Sequence, residues 1–352
     1  MKKLISVCLG ALLLCSLCSC AFSFSSGTYY ENAEKYSLGN ATVSGKITAL
    51  DLHWTSGKLI LVTAEDGSDA VTLSETARLE LTDEYRVHYW LDGEVLRVQY
   101  AASGQRAFPS NLNKTLTLTV PASLTAEKLT IETSSAEVDV TGLCAADVEI
   151  STASGAVRAE LSGTDTVRVD TASGSAKLTL DGASSCLLST ASGSLTLVSA
   201  GKIGTLRADS SSGSVTLTLP DADRVEANST SGEIRVTCPG SLGSLKAGSS
   251  SGDMDLTVPA AGSIETDTSS GRVRVTCAGM PEKLKIETSS GDVNLTLPAD
   301  AEFTLEYDTA SGDFDCDYPI TIRDDLYISG SGKTPISVDT ASGNLTVRRA
   351  AG

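Results

Sequence analysis

A Ser-Gly pair returns every 19–21 residues through much of this chain. The pairs are Ser154-Gly155, Ser173-Gly174, Ser192-Gly193, Ser212-Gly213, Ser231-Gly232, Ser251-Gly252, Ser270-Gly271, Ser290-Gly291 and Ser311-Gly312. Ala136 occupies the glycine slot one period earlier, and Gly343 follows after a longer gap. Helical repeats need about 33 residues or more, so a period this short indicates a small extended unit that is built again and again.

Hydrophobic residues alternate on both sides of each pair. Apolar residues stand seven and five places before the glycine, Thr or Ser stands three places before it, and apolar residues follow two, four and six places after it. Alternation with period two predicts two strands per repeat, each with one buried face. The inward parity slips by one residue at Ser-Gly, which predicts a tight corner where glycine supplies the required backbone angles.

The pattern therefore predicts an all-β, single-chain β-solenoid with 19–21-residue coils and an N-terminal β cap. Coils stacked at roughly 4.8 Å place Ser over Ser and Thr over Thr, which makes the serine and glycine residues above a structural corner ladder. Equivalent serines in every coil, with no histidine among the repeats, do not indicate a catalytic nucleophile. We expect "ISVDTASGNLTV" (336–347) to supply the last coil.

The N-terminus has the pattern of a secretory signal. Lys2 and Lys3 precede an apolar stretch that is too short to span a membrane comfortably. Leu17-Cys18-Ser19-Cys20 resembles a bacterial lipobox, which implies diacylation of Cys20 and cleavage before it; an ordinary signal peptide is the alternative. The predicted divisions are 1–19 signal peptide, 20–40 tether, 41–110 N-terminal β cap and first coil, 111–347 solenoid repeats and 348–352 C-terminal tail.

Charge and cysteine content restrict the partners. The formal net charge of −17 argues against nucleic acid and anionic lipid surfaces as binding partners. Beyond the signal region the cysteines are odd in number and irregular in spacing, which is not a disulfide framework. Cys186, Cys238, Cys277 and Cys316 fall in core slots, whereas Cys144 falls in a turn and receives no role. We expect no cofactor and no metal.

Charged residues occupy outward positions after the corner. Arg272 and Arg274 lie between acidic coils, so in-register stacking predicts cross-strand ion pairs. The acidic run of Asp313, Asp315 and Asp317 leaves a divalent cation as an alternative.

One group in the cap is a candidate ligand pocket. Both histidines and both tryptophans of the chain lie there, and the residues considered are His53, Trp54, His88 and Trp90. Filling of the hydrophobic core is the alternative role for the two tryptophans.

The segments "YENAEKYSLGNATVSGKITALDLHWTSGKLIL" and "HYWLDGEVLRVQY" and the serial "TSSGDV" coils resemble a bacterial β-strand-repeat family known as putative adhesins, also called a domain of unknown function. The resemblance covers residues 29–347 and is to lipoproteins of the Firmicutes type. It implies surface adhesion and supplies no catalytic residue.

The predicted function is that of a non-enzymatic surface lipoprotein, anchored by lipid on the extracellular face of the bacterial cytoplasmic membrane. It would act in adhesion or cell-envelope contact as a monomer, with the membrane and an unspecified cell-wall, glycan or protein partner. Envelope-stress sensing and a carbohydrate-active β-helix enzyme are the alternatives; scarce aromatic residues in the coils argue against the enzyme.

Overall fold

The computed structural model describes residues 29–65, 67–105, 107–109, 111–258 and 260–350. These residues form one 31-stranded sheet together with a 3₁₀ helix, Ala33–Lys35. Within the described residues no helix is long and apolar enough to cross a membrane. The predicted lipidation site, Cys20, lies outside them.

The strands follow one another along the whole described chain. The first eight are β1 Ser37–Leu38, β2 Ala41–Val43, β3 Ala49–Trp54, β4 Lys58–Thr63, β5 Val71–Thr76, β6 His88–Asp92, β7 Val95–Gln99 and β8 Thr115–Val120. The repeats contain β9 Thr125–Thr133, β10 Glu137–Thr152, β11 Val157–Ser162, β12 Thr166–Thr171, β13 Ala176–Leu180, β14 Ala183–Thr190, β15 Leu195–Ser199, β16 Ile203–Ser210, β17 Val215–Thr218, β18 Ala222–Ser229, β19 Ile234–Thr237, β20 Ser241–Ser249, β21 Met254–Val258, β22 Ala260–Thr268, β23 Val273–Cys277, β24 Lys283–Thr288 and β25 Val293–Leu297. The last six are β26 Phe303–Thr309, β27 Phe314–Cys316, β28 Thr321–Arg323, β29 Leu326–Ser329, β30 Thr334–Thr340 and β31 Leu345–Arg349.

Each repeat contributes one strand before the Ser-Gly corner and one after it. Strands before the corner pair in parallel with one another, as β12 does with β14, and this layer is called the pre-corner sheet. Strands after the corner do the same, as β11 does with β13, and form the post-corner sheet. The register places Thr171 beside Thr190, which confirms the predicted solenoid with like residues over like.

The core lies between the two sheets. Along the pre-corner sheet, Val167, Cys186 and Leu206 are in register and no more than 2% exposed. The burial pattern alternates through β13 and through β12 up to Val169, as the sequence predicts, and the parity slips across the corner. Apolar columns that run through successive coils bury far more surface than a single coil could, so stacking itself stabilises the fold.

The hydroxyl three residues before each corner glycine closes the corner. Gly155 N–H donates to Thr152 Oγ1 at 2.9 Å, and the same bond recurs at 2.8–3.1 Å in the other corners up to Gly343. These hydroxyls also donate between coils, as Thr133 Oγ1 does to Thr152 Oγ1 at 2.8 Å. The recurrent Thr and Ser therefore satisfy backbone and side-chain groups at a buried bend.

Glycine is required at the corner because neighbouring coils approach each other closely there. Of the stacked corner glycines, only Gly57 has a left-handed φ, of 84°. At Gly155 through Gly343, a Cβ would instead lie 1.8–2.1 Å from the carbonyl oxygen of the neighbouring corner. The prediction of unusual backbone angles is therefore wrong for these positions: close approach between coils excludes a side chain there.

The coils are not stacked in chain order at either end. Leu50 of β3 lies between Leu96 of β7 and Leu129 of β9. At the other end, Ile336 of β30 lies between Leu284 of β24 and Leu305 of β26. The predicted last coil, 336–347, is therefore last in sequence but is inserted inside the stack.

Antiparallel strands cover the two ends of the stack. β6 pairs with β7, and β5 pairs with β8, at the N-terminal end. β29 pairs with β26, and β28 with β29, at the C-terminal end. Such covering strands limit edge-to-edge association of the open sheets.

The five described cysteines are free thiols. Cys186, Cys238 and Cys277 are buried in the core slots assigned from the sequence, and Cys316 is partly buried. Burial raises the pKa of Cys186 to about 12 and that of Cys277 to about 12. The placement of Cys144 in a turn is wrong: it lies within β10 beside Ser162 of β11, just past a register shift that the repeat pattern does not show.

Some of the outward charges form the predicted cross-strand ion pairs, and others pair within their own coil. Arg274 Nη1 lies 3.6 Å from Asp255 Oδ2 on the neighbouring strand. Arg235 instead pairs with Glu233 of its own coil. Arg348 contacts Asp315 at 2.6 Å and Asp317 at 2.9 Å, so a cation of the chain itself pairs with two of the three carboxylates of this acidic run. Within the part of the chain that the structure describes, no group of three or more potential ligands is arranged to hold a metal ion.

Candidate ligand-binding site

The candidate site lies on the outer surface of the pre-corner sheet at its N-terminal end. The strand order there is β1, β6, β7, β3 and β9. One outward row runs from Trp90 through Arg97 to Asp51, because these residues are directly paired across β6, β7 and β3. The adjacent row runs through His88, Gln99, His53 and Glu132.

A pocket of about 300 Å³ opens on this surface. Its floor is formed by side chains of β3, β6 and β7, and its wall by residues 29–36. The lining residues are Tyr29, Tyr30, Glu31, Asn32, Tyr36, Asp51, His53, Trp90, Asp92, Arg97 and Gln99.

Residues 29–36 are held against the sheet by specific contacts. Tyr30 OH donates to Ala101 O at 3.1 Å, and Tyr30 N–H donates to Ser103 Oγ at 3.2 Å. The Tyr36 ring meets Trp90 edge to face at 5.7 Å. The described part of the predicted tether is therefore folded onto the cap and forms one wall of the pocket.

The structure places two of the four predicted pocket residues in the pocket. His53 and Trp90 line it, but Trp54 and His88 do not. Trp54 points into the core, where it is 1% exposed and packs edge to face on Tyr100 at 4.8 Å. The His88 ring instead contacts the backbone just before its own strand, with Nδ1 2.9 Å from Arg86 O. The structure therefore does not bring Trp54 and His88 into the pocket.

Charged groups from four strands are connected within the site. His53 Nε2 is 3.0 Å from Asp51 Oδ1, and His53 Nδ1 is 3.2 Å from Glu132 Oε2. Arg97 donates from Nη1 to Asp51 Oδ2 and from Nε to Asp92 Oδ2, the latter at 3.1 Å. Each oxygen of Asp51 thus has a positively charged or ionisable partner, which fixes the orientation of the carboxylate.

These contacts set the protonation states. Burial alone would lower the pKa of His53, but the hydrogen bonds and charges of Asp51 and Glu132 raise it to about 9. The hydrogen bond from His53 lowers the pKa of Glu132. At Asp51, burial alone would raise the pKa, but the hydrogen bonds and charges of His53 and Arg97 lower it. At neutral pH the site therefore holds an imidazolium between two carboxylates.

The titration of His53 gives a direct test. We expect the imidazole proton resonances of His53 to titrate with a midpoint near pH 9, compared with 6.5 for an unperturbed histidine. Because the folded-state pKa is raised, the stabilising contribution of His53 protonation is complete below pH 6.5, as long as Asp51 and Glu132 stay ionised, and is lost as the pH rises through 9. Proton NMR of the histidine ring against pH measures it, with His88→Gln used to assign the two rings.

Glu132→Gln is the matched variant for this titration. It removes one carboxylate partner of His53 and should lower the midpoint, because an amide does not stabilise the imidazolium to the same degree. A wild-type midpoint below pH 7 would contradict the described contacts.

Aromatic rings border the same pocket. Trp90 is partly exposed, with Lys35 Nζ 4.8 Å from its ring centroid. Tyr36 is hydrogen-bonded to Gln99, and burial raises the pKa of Tyr36. Tyr29 stands at the rim and is 68% exposed. The site thus combines ring surface with amide, carboxylate and guanidinium groups.

Sequence reasoning missed most of the polar residues of the site. Asp51, His53, Arg97 and Gln99 all alternate with buried residues of β3 and β7, so their outward direction could have been read from the alternation. The same parity places Trp54 with Leu50 in the core. Nothing in the sequence indicates that β7 lies beside β3, and that pairing brings Arg97 to Asp51.

A second depression, of about 230 Å³, lies on the post-corner sheet. It occurs where three small residues, Ala156, Ser175 and Ser194, follow successive corners, because their short side chains form a shallow hollow in the surface. Its wall carries no aromatic ring, and it has fewer converging polar groups than the first pocket. The N-terminal pocket is therefore the better candidate.

The stack of near-identical coils, with a lined pocket at one end, defines a β-solenoid repeat protein with a candidate ligand site. The chain belongs to the Toastrack DUF4097 family, whose model matches residues 103–241 and 224–348. The resemblance to a β-strand-repeat family of unknown function is thereby confirmed. All of the pocket-lining residues precede the matched ranges.

Two solved structures are also similar to this chain. A putative cell adhesion protein from Clostridium sporogenes ATCC 15579 is 10% identical over 90% of this chain and 100% of its own, with a TM-score of 0.19. A putative adhesin from Bacteroides fragilis NCTC 9343 is 10% identical over 88% of this chain and 97% of its own, with a TM-score of 0.26. Such TM-scores carry no inference about function. No curated protein matches the chain significantly.

Proposed function

We propose that this protein is a non-enzymatic, lipid-anchored protein of the bacterial cell surface that acts by binding a component of the cell envelope or of another surface. The observation that carries the proposal is the N-terminal pocket, whose wall is the end of the predicted tether. The lipobox-like sequence before Cys20 supports anchoring through a diacylated cysteine. The binding surface would then lie at the anchored end of a stiff rod.

The protonation states favour binding over catalysis. Glycoside hydrolysis needs one carboxylic acid with a raised pKa beside a second, ionised carboxylate. Here the contacts lower the pKa of both Asp51 and Glu132. His53, with a pKa of about 9, is protonated at neutral pH and is a poor general base. These groups therefore suit orientation of a ligand better than proton transfer to it.

Cell fractionation tests the anchoring and location. In bacteria expressing the full chain, we expect the protein in the membrane fraction and accessible to protease added to intact cells. Cys20→Ser should release it into the medium, because the acceptor of the lipid is lost. Cys18→Ser, two residues away, is the matched control and should leave it anchored. Wild-type protein protected from external protease, or Cys20→Ser protein retained on the membrane, would contradict the proposal.

A further inference from the structure

We propose that the N-terminal pocket binds an uncharged saccharide ring, of the kind carried by surface glycans. The proposed function places this pocket outside the cell, and the relevance of a glycan ligand rests on that placement. The pocket, its rings and its polar groups nevertheless define the ligand class independently of where the protein resides.

The aromatic groups supply the apolar half of such a site. One face of a pyranose ring presents C–H groups with partial positive charge, which are attracted to the electron-rich face of an aromatic ring. Tyr29 is 68% exposed in the wall, and Trp90 is partly exposed in the floor. Both therefore offer ring surface that a ligand can cover.

The polar groups supply the other half. Sugar hydroxyls both donate and accept hydrogen bonds, so they match carboxylate, amide and guanidinium groups that converge on one space. Asn32, Asp92 and Gln99 line the pocket beside Arg97 and Asp51. Ion pairing within the sheet holds Asp51, Asp92 and Arg97 in place, which reduces the ordering that binding would otherwise require.

Most charged groups of the pocket are paired within the protein, which leaves few of them for an ionic ligand to pair with. Asp51 is paired with both His53 and Arg97, and Asp92 with Arg97. Glu31 lines the pocket, and Lys35 lies over Trp90. An anion would meet three carboxylates, and a cation would meet His53, Arg97 and Lys35. A neutral polyhydroxylated ligand avoids both repulsions.

Size and position agree with this ligand class. The volume of about 300 Å³ is at the lower end of the roughly 300–1,000 Å³ range of ligand pockets and is suited to one or two sugar rings. Because residues 29–36 form one wall, an occupant would touch both the rod and the segment that leads to the predicted anchor. Binding should therefore also slow hydrogen exchange in this segment.

Saturation-transfer NMR on the full chain, solubilised in a detergent without a sugar headgroup, tests the assignment. The probes are glucose, galactose, mannose, N-acetylglucosamine and N-acetylgalactosamine, with glucosamine and N-acetylneuraminic acid as the charged comparisons. We expect saturable signals from at least one neutral sugar, with a dissociation constant in the roughly millimolar range for so small a ligand. The two charged sugars should bind more weakly.

Variants locate the binding. Tyr29→Ala should weaken binding about three- to tenfold through loss of one ring contact, and its exposure makes a folding defect improbable as the cause. His88→Ala is the matched control, since His88 shares the outward row with His53 but does not line the pocket, and it should bind as wild type does. Hydrogen exchange of residues 29–36 should slow when the binding sugar is present.

Distinct outcomes separate this inference from the proposed function. No saturable signal with any neutral sugar, tighter binding of either charged sugar, or equal losses in Tyr29→Ala and His88→Ala would each overturn the saccharide assignment. The proposed function would remain if fractionation still found the protein anchored outside the cell.

Discussion

Gly213→Ala is expected to destabilise the solenoid by about 3 kcal/mol or more, although it adds only one methyl group. A Cβ at Gly213 would lie 1.8 Å from Gly193 O and 2.8 Å from Ser194 N. Both atoms belong to the backbone of the preceding coil, so neither can move without separating the stacked strands. Urea unfolding followed by far-UV circular dichroism measures the loss.

Ser212→Ala is the matched control for this change. Ser212 precedes Gly213 in the same corner but is exposed, so its free energy of unfolding should change by less than about 0.5 kcal/mol. Ala136 is the corner position that carries a methyl group. Its neighbour in the stack is Gly57, whose φ of 84° gives that corner a different backbone from the regular corners. A loss below about 1 kcal/mol for Gly213→Ala would contradict the steric explanation of the repeat.

Lys114→Ala is expected to destabilise the N-terminal end by about 3–5 kcal/mol, because it leaves a buried carboxylate without its cation. Lys114 occupies the corner slot next to Gly57, and its Nζ is 2.7 Å from Glu75 Oε1. The two side chains are 0% and 3% exposed. Nζ also donates to Tyr85 O and Tyr100 O, and it lies 4.1 Å from the Tyr100 ring centroid.

Tryptophan fluorescence measures this effect locally. Both tryptophans of the chain lie at the N-terminal end, whereas circular dichroism reports on every coil. When only this end is weakened, the unfolding transition followed by fluorescence should therefore come at a lower denaturant concentration than the one followed by circular dichroism. Lys46→Ala is the matched control: Lys46 pairs with Glu94 at 2.9 Å in the same region, but the side chains are 74% and 48% exposed, and the loss should stay below about 1 kcal/mol.

A second substitution separates the charge from the packing. If the cost of Lys114→Ala comes from the unpaired carboxylate, adding Glu75→Gln should recover part of the lost stability. Equal losses for Lys114→Ala and Lys46→Ala would show that the buried pair does not stabilise this end.

The sequence by itself determined the coil. Period-two alternation specifies which residues of a strand face inward, and a repeat of 19–21 residues brings equivalent residues into register. That reasoning correctly placed Val167 and Leu206 in one core column and Thr171 beside its equivalents. The hydrophobic pattern of "TLTLTVP" (115–121) also matches that of the repeats and predicts a corner slot at Lys114, where the structure places it beside Gly57.

Only the tertiary structure decided which coils are neighbours at the ends. Every coil presents nearly the same pattern of strands and corner, so β3 would fit on β12 as well as on β7, and the repeat carries no information on order. The insertion of β3 between β7 and β9 brings Arg97, Asp51 and Glu132 together from separate parts of the chain. For the same reason, the ion pair of Lys114 with Glu75 and the place of the final coil depend on three-dimensional packing, which the local alternation does not specify.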